Sequence, residues 1–159
     1  MSFALPLVSS PTELSTAATD VALSIESLFV AAWIARTAGE AHGRATLWSA
    51  ALGLLALASL LGSAAHGLAM SATMQTALWR PLYALLGLVV AMMLAAAVAD
   101  LRGAASIHRM LPAAVALAIG FFVLSESEGG DYRVFVLFHG GGGLVALAVY
   151  GSLAWRRRL

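Results

Sequence analysis

The chain has 159 residues, 61% of them hydrophobic and 11% charged, with a formal net charge of +1 and a mean hydropathy of +0.90. That leaves too little polar surface to clothe a soluble globule, so the composition reads as a single integral membrane domain spanning residues 1–159, and the near-neutral charge argues against a nucleic-acid partner. Cysteine is absent, which removes disulfides, thiolate metal sites and a cysteine nucleophile; all nine basic residues are arginine, so a lysine Schiff base is excluded as well.

In chain order, residues 1–14 hold Leu, Val and Phe without a positive leading stretch, and Ser9, Ser10 and Pro11 interrupt them. They are expected to form an uncleaved segment lying at the membrane surface, with the first span acting as the targeting signal. A helix rises about 1.5 Å per residue and needs roughly 20 apolar residues to cross the hydrocarbon. On that measure helices are expected at Ala17–Ala35, Ala45–Ala69, Leu78–Ala99, His108–Ser125 and Tyr132–Trp155. The fold class is therefore all-α, a polytopic bundle of five transmembrane helices, because long continuous apolar runs do not suit a barrel. The fourth span is short enough to require local thinning of the bilayer. Pro81 and Pro112 are expected in the first turns of their helices, where proline is tolerated.

Orientation follows from the arginines. Arg36, Arg44, Arg102, Arg109 and Arg156–Arg158 fall on one side and only Arg80 and Arg133 on the other, which puts the N-terminus outside and the C-terminus in the cytoplasm of a bacterial-type plasma membrane. Trp33, Trp48, Trp79 and Trp155 fall at span ends and read as interfacial anchors. His42 and His108 read as interfacial, and Asp100 with Arg102 and Glu40 with Arg44 as solvated loop charges. Arg80 is expected to pair with Asp20 or Glu126, the alternative being a lipid headgroup. The acidic, Gly-rich loop Glu126–Asp131 suits a solvated connection.

Four ionisable residues remain inside the spans. Asp20, Glu26, His66 and His139 all fall in the outer half of the bilayer, and each needs a partner there because an unpaired charge in hydrocarbon is costly. At 100° per residue Asp20, Ser24 and Ser27 share one stripe of their helix, whereas Glu26 points about 120° away. Ser59, Ser63 and His66 form a stripe of the second helix. Gly140–Gly143 follow His139 directly, and a run of glycines marks close approach of something: packing of another helix, a second copy or a partner protein, or a lipid chain or flat cofactor. His66, His139 and one carboxylate, Asp20 or Glu26, form a donor set for zinc with a position left for water. In that arrangement the second carboxylate serves as general base and Ser63 steadies a developing oxyanion. Two histidines on facing helices equally suit non-covalent haem, and internally paired polar groups suit an accessory subunit of a larger membrane complex.

The sequence Ser63-Ala-Ala-His66-Gly67 near the end of an early helix, with Phe138-His139 entering a C-terminal helix, resembles the superfamily of membrane hydrolases that includes alkaline ceramidases and progestin/adipoQ receptors. The resemblance implies a zinc-dependent hydrolase acting on a lipid amide, ester or ether, with His66 and His139 as ligands. It covers two short motifs. This chain departs from that family in having five expected helices instead of seven, and in carrying Gly143 where the family places a second C-terminal histidine.

Overall fold

A computed structural model describes residues 6–39 and 42–156. Its five long helices are α1 (Pro11–Thr37), α2 (His42–Gly67), α3 (Ala72–Arg102), α4 (Ile107–Ser127) and α5 (Tyr132–Arg156), with a 3-10 turn at Ala104–Ser106. All five are long and apolar enough to cross a membrane. Glu40, and the side chain of His42, lie outside the described residues.

Helix starts differ from expectation where capping chemistry outweighs hydropathy. α1 begins six residues early because Ser10 caps it: its Oγ accepts from the Glu13 amide at 3.4 Å, with proline at the first turn. α3 likewise begins at Ala72, where Ser71 Oγ accepts from Met74 at 3.3 Å. Pro81 consequently lies inside α3, and Pro112 inside α4. Neither opens its helix as expected, and each costs the carbonyl four residues earlier its usual partner. The fourth apolar segment is not short: with the 3-10 turn it runs over 24 residues, Ala104–Ser127. Of residues 1–14, Pro6–Val8 lie against the α2–α3 connection, with Val8 N donating to Gly67 O at 3.1 Å and Ala69 N to Pro6 O at 2.8 Å.

α3 is the hub. It packs against α2, α4 and α5, whereas α1 packs chiefly on α2. Burial explains the role: Ala91, Ala95, Ala96, Ala97 and Ala99 are all buried, and small side chains let helices approach closely where lipid supplies no hydrophobic drive. Gly87 lies under Phe121 and the Ala118 carbonyl of α4, and Gly142 of α5 lies against Val90. The glycine run therefore splits. Gly142 packs on α3, while a Cβ on Gly140, Gly141 or Gly143 would meet nothing within 4 Å.

At the end carrying Arg44, Asp100 is not a solvated loop charge. It accepts from Trp48 Nε1 at 3.1 Å and Tyr150 Oη at 2.8 Å, with Arg44 at 3.7 Å, and so ties α2, α3 and α5 together. Trp48 is thereby a tertiary contact, and only Trp33 and Trp155 stay broadly exposed at helix ends. At the other end Arg80 pairs with Glu126 at 3.1 Å, one of the two carboxylates expected for it. Asp131 caps α5 through the Arg133 amide and also binds its guanidinium. These bonds hold the Asp131 carboxyl below the usual carboxylate range.

Candidate functional site

Three of the ionisable residues singled out by sequence border the same cavity. A cavity of about 480 Å³ lies between α1, α2, α3 and α5, at the end of the bundle where α1 begins, and Asp20, His66 and His139 all line it. Its floor and walls are mainly apolar and aromatic, including Leu23, Leu55, Leu82, Leu86, Trp79 and Phe135, with Thr16, Ser59, Tyr83 and Tyr132 as further polar groups. A mostly apolar concavity with a few converging polar groups is the usual form of a small-molecule site.

Each histidine is held by one ring nitrogen. His66 Nδ1 lies 2.6 Å from Glu13 Oε2, and its ring meets Trp79 edge-on. The carboxylate accepts, so Nδ1 carries a proton, and in the neutral ring the lone pair is then on Nε2. His139 Nδ1 donates to the Phe135 carbonyl one turn back, at 3.0 Å, while Phe135 stacks on the ring and Phe121 and Phe138 meet it edge-on. Its Nε2 is buried and meets no partner at full hydrogen-bond geometry among the described residues, although the Leu86 backbone lies against the ring. Fixing Nδ1–H on a carboxylate or carbonyl is how ligating histidines are oriented, since it sets the tautomer and raises the basicity of the other nitrogen.

Asp20 sits directly over Gly62 of α2. A Cβ added at Gly62 would fall 2.7 Å from Asp20 Oδ2, so the glycine is what allows the carboxyl into the cavity. One turn further along, Ser24 Oγ donates to the Ala56 carbonyl at 2.8 Å, and Ser27 is buried, so the expected stripe does face α2. Glu26, on the other side, is exposed on the outer surface of the bundle and does not reach the cavity.

Ser63 is not brought in either. Its Oγ donates to Leu60 O within its own helix, and the α2 side chains that line the cavity are Leu55, Ala58, Ser59 and His66, beside Gly62. Ser59 thus takes the place expected for Ser63. Sequence reasoning also missed Glu13, because residues 1–14 were assigned to the surface; the signal was the Ser10-Pro-Thr-Glu13 run, a capping box with proline at its first turn. As they stand, no three His, Asp or Glu side chains among the described residues are close enough to share one metal ion. Holding one would require these side chains to come closer together.

Tyr83 and Trp79 divide this cavity from a smaller one of about 290 Å³ that holds the Arg80–Glu126 pair. Tyr83 Oη donates to Gly130 O at 3.2 Å and so ties the wall to the α4–α5 connection.

The profile of a family of unknown function, DUF6962, matches residues 15–159, and the chain belongs to that family. No curated protein and no solved structure matches it.

Proposed function

We propose that this member of DUF6962 is a membrane hydrolase that binds an amphipathic lipid in the α1–α2–α3–α5 cavity and cleaves an amide, ester or ether bond beside His66 and His139. The observation that carries this reading is that both histidines line one cavity with Nδ1 already satisfied, which leaves each Nε2 available. In this reading His66 and His139 would hold a zinc ion, with Asp20 able to supply a third donor. Bound there, zinc would lower the pKa of a water and polarise the scissile carbonyl. The protein's own parts divide the remaining work. Glu13 and the Phe135 carbonyl fix the two rings. Asp20, relieved of crowding by Gly62, would be either the third donor or, left off the ion, the base that takes a proton from the attacking water. Ser59 offers a hydrogen bond to the substrate's polar group, and Leu23, Leu55 and Leu86 hold its chain away from water. The N-terminus lies outside in this reading, so the cavity opens toward the outer leaflet of a bacterial-type plasma membrane.

The test is zinc content by elemental mass spectrometry on detergent-purified wild type, His66→Ala and His139→Ala, with a visible spectrum of each sample. Near-stoichiometric zinc in wild type, lost in both variants, is the expected result and directs lipid amide and ester turnover assays to the same preparations. A Soret band that both substitutions abolish would replace zinc with haem. Folded wild type with neither metal nor Soret band would sink both.

A second reading, a non-catalytic subunit of a larger membrane complex, is favoured by the open surface of Gly140, Gly141 and Gly143 on α5, against which another protein's helix could lie closely. It predicts a stable co-purifying membrane protein and no bound zinc.

A further inference from the structure

Glu26 stands where a carboxyl is hardest to accommodate. α1 runs for 27 residues, and Glu26 lies near its middle, about 22 Å from Pro11 at 1.5 Å per residue. The side chain is exposed on the face turned away from α2, and it has no hydrogen bond or ion pair among the described residues. The other exposed charged side chains of the described helices, from Arg36 and Arg44 to Arg133 and Arg156, lie toward helix ends. A polar group at this depth facing lipid is costly unless another protein surface covers and pairs it.

We propose that this surface is covered by a second copy of the chain, with α1 packed against α1 about a two-fold axis along the membrane normal and the two Glu26 carboxyls hydrogen-bonded to one another. Three observations converge on this partner. The first is self-complementarity. Copies inserted in the same orientation carry Glu26 at the same depth, and a two-fold axis along the normal brings identical residues face to face. A protonated carboxyl both donates and accepts, so one Glu26 satisfies the other. The second is the seam around it. Ser15, Thr19, Ala22, Glu26, Phe29 and Trp33 are all exposed and follow one another at alternating spacings of four and three, the period along which two parallel helices interlock. Ser15, Thr19 and Ala22 are small, so the backbones can close to a distance at which two glutamate side chains meet. The third is elimination within the chain. The lipid-facing middles of α4 and α5 present Val115, Leu117, Leu144, Val145 and Leu147, none of which can pair with a carboxyl, so a head-to-tail contact between copies leaves Glu26 unpaired.

This inference rests on α1 alone and not on the hydrolase reading. The absence of native cysteine makes it directly testable by oxidative crosslinking of single-cysteine variants in native membranes. Ser15→Cys and Ala22→Cys lie on the seam. Ile25→Cys and Leu28→Cys are equally lipid-exposed but lie off it, and Gly140→Cys reports on α5. The expected result is a dimer from the two seam variants and little from the other three. Adding Glu26→Leu to the Ala22→Cys protein should cut the crosslinked fraction about tenfold. Glu26→Gln, whose amide also donates and accepts, should retain the dimer and thereby show that the loss does not come from misfolding. Seam crosslinking no stronger than off-seam, or unchanged by Glu26→Leu, overturns the proposal. So does crosslinking through Gly140→Cys alone, or capture of a different protein at the α1 seam.

Discussion

Among single residues, glycines separate positions that shape the site from positions that do not. Gly62→Ala would place a methyl group 2.7 Å from Asp20 Oδ2. The obstruction is the far end of a movable side chain, so we expect a stability change within about 1 kcal/mol but displacement of the carboxyl and at least tenfold weaker zinc retention, measured by titration with a competing chelator. Gly140→Ala meets nothing within 4 Å; it should leave zinc retention unchanged and favour the helix by up to about 1 kcal/mol. Equal loss of zinc in both variants would remove Gly62 from any role in positioning Asp20. That Asp20, His66 and His139 border one cavity was legible from their shared depth, whereas the same reasoning failed for Glu26, which faces away from it. Glu13 and Ser59 were not legible. Glu13 became visible only once α1 was known to start at Pro11, and the choice of Ser59 over Ser63 depends on which side of α2 faces α1 and α3, which depth and spacing do not specify.

Among the helices, the strongest polar tie is remote from the cavity. Asp100→Ala would leave Trp48 Nε1 and Tyr150 Oη without their acceptor and release Arg44. The expected loss is about 2–3 kcal/mol, seen as a lower melting temperature in detergent with a change in tryptophan fluorescence, while Asp100→Asn should retain part of it. A melting temperature equal to wild type in Asp100→Ala would show that the tie adds nothing. The five apolar segments were legible in their hydropathy, and α5 was placed to within one residue of its ends. The starts of α1 and α3 were not, since Ser10 and Ser71 extend them beyond the strongly apolar stretches through side-chain caps. Asp100 was misread because proximity in sequence to Arg102 suggested a local pair, whereas its partners come from α2 and α5.

For the molecule as a whole, the leaflet that the cavity faces depends on orientation. With the N-terminus outside, an impermeant maleimide should label Ser127→Cys in intact cells and Ala105→Cys only after lysis. The reverse pattern would turn the cavity toward the cytoplasmic leaflet and change the pool of lipids that can enter it. The arginine distribution made this prediction possible. Which helices surround the cavity could not be read the same way, because adjacency in a membrane bundle is set by small-residue packing such as Gly87 under Phe121 and Gly142 on Val90.

The placement of α3 as hub, with α1 docked on α2 and α5 arriving from the far end of the chain, also imposes an order on biogenesis. As the polypeptide leaves the ribosome, the Glu13–His66 pair can form once two helices are in the membrane. His139 and the wall it carries follow the other four helices. A chain arrested before α5 therefore holds one oriented histidine and a carboxylate but lacks His139 and the α5 wall, so the cavity is complete only once α5 has been inserted.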